Sequence, residues 1–315
     1  MPIKNFFSYF VRFLSKEDMQ LLDHILHIRM STPADVHDKE HANRAYWDHV
    51  SAFWDNTPLP IRPSADDLAC YGSFLAQKEK KDRILILGST PELRDLASSI
   101  PDASIYVADF SYKMLIEMLR YTRNADYLKE KWVKDNWLAL AFPEHFFDVI
   151  LGDIVLHQVT PDQESAFLKK MHSLLRTDGC FISRFQFLDE KIREKSIAST
   201  VDDVLNRALT QGQMITLLKL YLPLRDADPV ARTLNRMHTS RTFEKFLKQY
   251  PARQHFLEKI SHAISHPALM HRNWSPPDEQ ELNKILSSYF RTIDVHISHD
   301  HPDAACYPLY VLQPT

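Results

Sequence analysis

The segment between positions 83 and 109 constrains the fold of this chain more than any other part of the sequence. Its apolar run Ile84 to Leu87 predicts a short buried strand, and Gly88 directly after that run predicts a tight turn. Pro91 then opens a helical pattern, and a second strand-like run ends at Asp109. In βαβ units, an acidic residue about 20 positions after such a glycine binds the ribose hydroxyls of a nucleoside. The sequence therefore predicts a site for a cofactor that contains adenosine.

Length and charge restrict the class of protein. The chain has 315 residues, 44% hydrophobic and 25% charged, which is enough for one large core or a core with a smaller subdomain. Its formal net charge of -3 gives no overall attraction for nucleic acid, so we expect no nucleic-acid partner. No uninterrupted apolar run approaches the roughly 20 residues that cross a membrane, so we expect no membrane association.

The cysteines and the N-terminal segment bear on location. Cys70, Cys180 and Cys306 are odd in number and far apart, which argues against a disulfide framework and favours a reducing compartment, here the cytoplasm. The aromatic segment 4–18 is interrupted by Arg12 and lacks a small-residue cleavage site. We interpret this segment as an amphipathic helix that packs on the body of the protein.

Strand-like and helical patterns alternate between residues 81 and 188, which predicts a mostly parallel sheet covered on both faces. A long helical stretch follows from Asp189 to Ser275, then a helix that we expect to open at Pro276 and Pro277. The chain ends in two strand-like runs, 291–299 and 307–313, which predict an antiparallel hairpin at the sheet edge. The strands predicted before the helical stretch begin near Ile84, Ser104, Trp132, Phe147 and Cys180.

This order of elements, with the motifs FDVILGD and TDGCFISRF, resembles the class I S-adenosylmethionine-dependent methyltransferase family. Gly88-Ser89-Thr90-Pro91-Glu92 is similar to the first motif of a branch that reads G-x-T-P-E. The resemblance implies an α/β fold: a Rossmann-like, mostly parallel seven-stranded sheet with an antiparallel terminal hairpin, plus N-terminal helices and a helical insertion. It divides the chain into an N-terminal helical segment with a proline-rich lead-in (1–80), a cofactor-binding core (81–188), a helical insertion that caps the substrate (189–275) and a C-terminal helix and hairpin (276–315).

The resemblance also implies a function and a first set of site residues. S-adenosylmethionine would donate a methyl group to an unidentified acceptor, with a small molecule favoured over a protein. Gly88 would turn the backbone beside the cofactor, and Ser89 and Thr90 would add hydroxyl groups. Glu92 would accept from the cofactor's ammonium group, unless it serves only as an acid favourable at a helix N-terminus. Asp109, followed by Phe110, would hold the ribose hydroxyls, unless it caps the next helix.

Further positions follow from the same resemblance. Asn136 stands where relatives carry an aspartate that accepts from the adenine amino group, and Trp137 follows it. An amide carbonyl can also accept that hydrogen bond, and Asp135 is a substitute candidate. Asp153 closes the fourth strand of the core and, with Ile154, would line the methyl-donor side of the pocket.

His157 and Arg62 are candidates for a role in the site, but for each the sequence also allows a purely structural role. A neutral His157 near the sulfonium could take a proton from an acceptor, or its ring could pack at a helix start. Methyl transfer depends mainly on proximity and in-line geometry, so the resemblance does not require this base. Arg62 lies in a proline-arginine-proline-serine element and could fold over the cofactor end of the sheet or remain on the surface.

Two clusters of polar residues remain. His296, His299 and His301 suggest a metal, but the first two would point to opposite faces of one strand, so we expect no metal site. Within the helical stretch, several side chains could recognise an anionic or aromatic acceptor or could form a solvated face. They are Tyr221, Arg225, Arg232, Arg236, His238 and Arg241.

Two other functions remain open from the sequence. An NAD(P)-dependent oxidoreductase shares the strand, turn and ribose acid, but it normally has more glycine at the pyrophosphate than Gly88 alone supplies. A non-catalytic nucleoside-binding or scaffold protein with a methyltransferase fold is the other alternative. The scarcity of glycine, with five in the whole chain, and Asn136 favour that second alternative.

Overall fold

The computed structural model describes residues 29–30, 47, 54, 56–248, 254–264 and 274–315. The amphipathic helix predicted at the N-terminus lies outside the described residues. None of the described helices combines the length and the apolar character that crossing a bilayer requires.

The strands form one mixed sheet in the order β1-β4-β3-β2-β5-β6-β8-β7. Seven strands make up its body, and the two-residue β1 extends one edge. The pairs from β1 to β6 are parallel, and β8 pairs antiparallel with both β6 and β7. The expected Rossmann-like α/β architecture is therefore confirmed. The strands are β1 (Arg29–Met30), β2 (Arg83–Leu87), β3 (Ser104–Asp109), β4 (Glu130–Lys134), β5 (Phe147–Asp153), β6 (Leu175–Arg184), β7 (Phe290–His296) and β8 (Leu309–Pro314).

Ten α-helices accompany the sheet in the described part of the chain. Their starts follow local capping chemistry: Ser64 caps α1 in a reciprocal capping box with Asp67, and Ser111 accepts from the third residue of its helix, α3. The helices are α1 (Ala65–Gln77), α2 (Pro91–Ser98), α3 (Tyr112–Glu117), α4 (Glu164–Leu174), α5 (Glu190–Glu194), α6 (Ile197–Leu205), α7 (Gln211–Arg225), α8 (Arg236–Leu247), α9 (Gln254–Ile264) and α10 (Glu279–Ser287).

Alternate residues of the central strands feed two apolar cores, one on each face of the sheet. Leu85 and Leu87 of β2 pack in a core that also contains side chains of α4 and α10. Ile84 and Ile86 point to the other face, where they pack in a core with side chains of α1, α2 and α3. Burial on both faces explains why β2 reads as a continuous apolar run.

The direction in which successive strands are added to the sheet reverses between β2 and β5, although these two strands are parallel. From β2, the sheet continues through β3 and β4 on one side and through β5 and β6 on the other. In open parallel sheets, ligands bind outside the carboxyl ends of the strands at such a switch point. Gly88 follows β2 directly and Asp153 ends β5, so both residues lie at this point.

The region after β6 is helical as expected and carries its own core. Side chains of α6, α7, α8 and α9 form this third cluster, which includes Leu218 and Phe243. Within the described residues of this region, Thr233 forms isolated bridges with Asp228 and Trp274 but no strand. The guanidinium of Arg232 binds the buried Glu164 carboxylate of α4 through two hydrogen bonds. That ion pair fastens the helical region to the parallel core.

Three sequence-based expectations need correction. β6 begins at Leu175 instead of Cys180, since residues before the predicted start already pair with β5. α10 begins at Glu279 because Asp278 caps it, so the two prolines precede the helix instead of opening it. The terminal strands are antiparallel as expected, but β7 already ends at His296.

His296 and His299 do not lie on opposite faces of one strand, contrary to the expectation from the sequence. His299 lies beyond the end of β7, so strand alternation does not apply to it. The ring nitrogens of His296 and His299 lie 3.3 and 3.2 Å from Asp66 Oδ2. The fold therefore brings these two rings to one carboxylate.

Candidate active site

A cavity of about 380 Å³ lies at the switch point of the sheet. Its floor is formed by residues that follow the carboxyl ends of β2, β3 and β5, and further lining comes from α7 and from Trp54, Asn56, Thr57 and Ile61. A volume of this size is typical of small-molecule sites. Nine of the residues expected from the sequence at the cofactor site line the cavity: Gly88, Ser89, Thr90, Asp109, Phe110, Trp137, Asp153, Ile154 and His157.

The turn at Gly88 has the backbone conformation that the sequence suggested. Its φ of 82° lies in the left-handed region, which glycine adopts without steric cost. Its amide donates to Ala108 O at 2.8 Å, and the Trp137 indole donates to the same carbonyl at 2.9 Å. A side chain at position 88 would meet the Trp137 ring at 3.7 Å. These contacts set the floor of the cavity between β2 and β3.

Asp109 is buried at the end of β3, with 4% of its surface exposed. Its Oδ2 accepts from the Ser89 hydroxyl at 2.9 Å, and its Oδ1 accepts from the Ser111 amide at 2.9 Å. The carboxylate thus orients the loop after β2 and the start of α3. A carboxylate has about four acceptor positions, so these two bonds are compatible with further bonds to a ligand.

Glu92 and Arg62, which do not line the cavity, bind each other. The Arg62 Nε donates to Glu92 Oε1 at 2.8 Å, and the guanidinium lies 6.0 Å from the centre of the Trp54 ring. The second carboxylate oxygen of Glu92 is buried and accepts no hydrogen bond within the described residues. Trp54 lines the cavity, and its buried indole N–H has no hydrogen-bond partner either. The proline-rich lead-in therefore covers one end of the site.

Asn136 lies outside the cavity wall, unlike its neighbour Trp137. Its side-chain oxygen accepts from the Leu138 amide at 2.9 Å and caps a short turn of 3-10 helix. The buried Asp135 accepts from the Asn136 amide at 2.8 Å. The structure thus gives Asn136 a local capping role and brings only Trp137 to the cavity.

Asp153 is held by an arginine that sequence reasoning did not single out. Arg184 binds it through two hydrogen bonds, at 2.7 and 3.1 Å, and also donates to Asp67 at 3.1 Å. The three side chains are at most 4% exposed. Burial raises the pKa of Asp153 to about 6, because lost hydration outweighs the attraction of Arg184. The network fixes the end of β5 against β6 and α1.

The residues after Asp153 carry backbone strain and the candidate base. Ile154 has a φ of 54°, a conformation that β-branched residues rarely adopt, and such strain concentrates at functional sites. His157 follows in a short turn and lines the cavity, with its carbonyl accepting from the Trp274 indole at 3.1 Å. Both residues lie at the carboxyl end of β5.

The wall of the cavity formed by α7 was not predicted from the sequence. Side chains at helical spacing along α7 form this wall, and Gly212 at its start packs so closely that an added Cβ would lie 2.3 Å from the Asn56 side chain. The signal was present as a helical face, but periodicity alone does not say which partner a face meets. The α7 residues of the wall are Gly212, Ile215, Thr216, Lys219, Leu220 and Leu224.

The six side chains of the helical region that the sequence suggested for acceptor recognition lie in different environments. Arg232 and Arg225 form ion pairs with Glu164 and Asp226. Of the six, Arg236 alone lines the cavity. The remaining three lie elsewhere: Tyr221 is buried against Arg207, and His238 and Arg241 are exposed.

Residues 87–179 match the family model described as a methyltransferase domain. This segment runs from the end of β2 into β6 and includes every floor residue of the cavity between Gly88 and His157. No curated protein matches the chain. Within the described residues, no group of histidine, cysteine and acidic side chains is arranged to hold a metal ion.

Solved structures match most of the chain at low sequence identity. A protein from Rhodobacter sphaeroides described as a candidate Zn-dependent alcohol dehydrogenase is 16% identical with a TM-score of 0.55, covering 87% of this chain and 99% of that one. The CcbJ methyltransferase from Streptomyces caelestis is 13% identical with a TM-score of 0.51, again covering 87% and 99%. The Burkholderia thailandensis 1,6-didemethyltoxoflavin-N1-methyltransferase, crystallised with S-adenosylhomocysteine, is 15% identical with a TM-score of 0.47, covering 90% and 93%.

At these identities the structural matches bear on the fold alone. The family match covers the segment that forms the cavity floor, so this part of the Rossmann-like sheet is similar to a methyltransferase domain. S-adenosylmethionine is the methyl donor of this class of domain.

Proposed function

We propose that this protein transfers a methyl group from S-adenosylmethionine to a small organic acceptor. The observation that carries the proposal is the cavity itself. It lies at the topological switch point, and the Gly88 turn and Asp109 line it within the segment that matches methyltransferase domains.

The residues present fit the cofactor. We assign the ribose hydroxyls to Asp109 and the methionyl carboxylate to the loop of Gly88 to Thr90, at the N-terminus of α2. The buried Trp54 N–H, which lines the cavity, is a donor that needs a partner. We keep Glu92 as the acceptor for the ammonium group, although it pairs with Arg62 and does not itself line the cavity. We keep Asn136 only as a neighbour of the adenine site, since its side chain already caps a turn.

Within this class we propose the branch whose first motif reads G-x-T-P-E. In its support, Glu92 lies in the first turn of α2 and binds Arg62 of the proline-rich element. The four-part division proposed at 80, 188 and 275 follows the same scheme, with α7 of the insertion lining the cavity. Because all three cysteines are free, we propose a cytoplasmic location.

The cofactor, when bound, supplies an electrophilic methyl carbon on a positively charged sulfur. The protein's part is to place the acceptor in line with that carbon and to exclude water. Apolar side chains such as Ile154, Ile215 and Leu224 serve the second purpose. His157 lines the same cavity, and we propose that its imidazole takes the proton that an acceptor O–H or N–H group loses.

A small acceptor is favoured over a protein side chain because the helical region closes over the site. α7 lies along the cavity, and Gly212 meets Asn56 of the lead-in at close range. Arg232 holds this region to α4 through a buried ion pair. An acceptor therefore has to fit the space that remains beside the cofactor.

Calorimetric titration of the purified protein with S-adenosylmethionine, S-adenosylhomocysteine and NADH tests the proposal. We expect both sulfur nucleosides to bind in the micromolar range and NADH to bind at least about tenfold more weakly. The reason is that a loop with the single glycine Gly88 suits the methionyl carboxylate of the sulfur nucleosides better than the pyrophosphate of NADH. Tighter binding of NADH would instead favour an oxidoreductase. Failure of all three to bind would favour a scaffold.

A further inference from the structure

We infer that the methyl acceptor carries a neutral carbonyl oxygen and that the Tyr307 hydroxyl, oriented by Gln186, donates a hydrogen bond to it. The inference rests on the proposed function and deepens it, because it names the chemistry of the unidentified acceptor. It follows from two polar side chains that line the cavity on the far side of β5 from the residues assigned to the cofactor.

Tyr307 and Gln186 form a pair just beyond the ends of two neighbouring strands. The amides of Phe185 and Phe187 donate, at 3.0 and 3.1 Å, to the carbonyls on either side of Tyr307. These bonds continue the antiparallel register of β6 and β8, so Gln186 and Tyr307 lie opposite each other on one face. Between the side chains, Gln186 Nε2 donates to the Tyr307 hydroxyl oxygen at 2.9 Å. The two groups therefore act at one place in the cavity wall.

The order of the strands separates this pair from the cofactor residues. Those residues follow β2 and β3, whereas β6 lies two strands away from β2, across β5. Adjacent strands are about 4.8 Å apart, so the ends of β2 and β6 are separated by roughly 10 Å. Tyr307 packs with Ile154, which follows β5 directly. The pair thus borders the part of the cavity beside the end of β5, where the proposed function leaves room for the acceptor.

The hydroxyl of Tyr307 has one hydrogen to donate. Its oxygen accepts from Gln186, and the described residues offer its hydrogen no acceptor. The side chain is almost fully buried, and burial raises the pKa of Tyr307 well above its usual value, which keeps the hydrogen in place. A buried O–H group without a partner lowers stability. A ligand oxygen in the cavity would supply that partner.

A neutral oxygen suits this place better than a charged or donating group. Tyr307 and Gln186 are both uncharged, and an anion buried against uncharged donors loses its hydration without gaining a counter-charge. Lys219 and Arg236 also line the cavity, but both already interact with other groups of the protein. A ligand N–H group would leave the tyrosine hydrogen unpaired.

The surroundings of Tyr307 indicate the rest of the acceptor. Ile154 and Cys306 pack with the tyrosine ring. Apolar contacts of this kind suit an aryl or alkyl group and offer few hydrogen-bond partners to a heavily hydroxylated molecule. The chemistry indicated is therefore an apolar molecule with a carbonyl group.

A double-mutant cycle between the tyrosine hydroxyl and a ligand carbonyl tests this inference. The ligands are ketones paired with alkenes that carry =CH2 in place of =O: acetophenone with α-methylstyrene, and 1-indanone with 1-methyleneindane. Each is titrated into the wild type and Tyr307→Phe, both saturated with S-adenosylhomocysteine. For at least one pair, Tyr307→Phe should weaken binding of the ketone by about threefold to tenfold and change that of the alkene by less than about 1.5-fold. The carbonyl stretching frequency of the bound ketone should be lower in the wild type than in the variant, because hydrogen bonding weakens the C=O bond.

Tyr310→Phe is the matched control. It removes a buried tyrosine hydroxyl that donates to Asn283 Oδ1 at 3.0 Å and does not line the cavity, so the ratio of ketone to alkene affinity should stay as in the wild type. Unchanged binding of S-adenosylhomocysteine shows that each variant is folded. If Tyr307→Phe does not fold, Gln186→Met replaces it, since it removes the group that orients the hydroxyl and should lower the same ratio.

Equal effects of the substitution on every ketone and its alkene, or a panel in which no ketone binds, overturn the inference alone. Failure of the wild type to bind S-adenosylhomocysteine overturns the proposed function and the inference with it.

Discussion

Asp109→Asn is expected to weaken the binding of S-adenosylhomocysteine by about 100-fold or more. Two ribose hydroxyls donating to one carboxylate are charge-assisted bonds worth roughly 1.5–3 kcal/mol each, and an amide keeps only part of that. The amide oxygen can still accept from the Ser111 amide, so the loop and α3 stay in place. Calorimetric titration measures the affinity.

Asp82→Asn is the control, because Asp82 is exposed beside the start of β2 and does not line the cavity. Both variants should melt within a few degrees of the wild type, which separates a lost ligand contact from a lost fold. If Asp109→Asn binds S-adenosylhomocysteine within about threefold of the wild type, Asp109 does not hold the ribose.

Arg184→Met should lower the free energy of unfolding by about 3–5 kcal/mol, the cost of leaving buried charges without their partner. Arg184 is fully buried and serves both Asp153 and Asp67, which are themselves almost fully buried. Urea denaturation measures the change. Arg120→Met, which removes an exposed i,i+3 ion pair, should change stability by less than about 1 kcal/mol.

The deficit of Arg184→Met should depend on pH. Without the guanidinium, the folded-state pKa of Asp153, which burial raises to about 6 in the wild type, rises further above its unfolded value. Such a carboxyl destabilises the fold when ionised, so the deficit is largest near about pH 8 and shrinks as the pH falls through the raised pKa. Adding Asp153→Asn should restore part of the stability near about pH 8. A deficit that is independent of pH would contradict this electrostatic origin.

The local parts of the fold were readable from the sequence. The strand before Gly88, the helix after Pro91 and the cap at Ser64 each depend on neighbouring residues, and the structure has all three. The spacing from Gly88 to Asp109 placed two residues of one cavity correctly, because a βαβ unit fixes that geometry.

Contacts between distant residues were not readable in this way. Arg184 and Asp67 are 117 positions apart, and no local pattern marks them as partners. The α7 face has helical spacing, but only the fold shows that it meets a cavity instead of a core. For Asn136, the sequence indicated the position in a motif but did not indicate that the side chain caps a turn of 3-10 helix.

Transfer of a tritium-labelled methyl group from S-adenosylmethionine tests whether this protein is a methyltransferase with a small acceptor. The wild type and Asp109→Asn are incubated with labelled S-adenosylmethionine and an extract of the cells that make the protein, then separated into small-molecule and macromolecular fractions. We predict new labelled products of low mass with the wild type and their loss in the variant. Label confined to protein or nucleic acid, or no transfer by a wild type that binds the cofactor, would show that the protein does not methylate a small molecule.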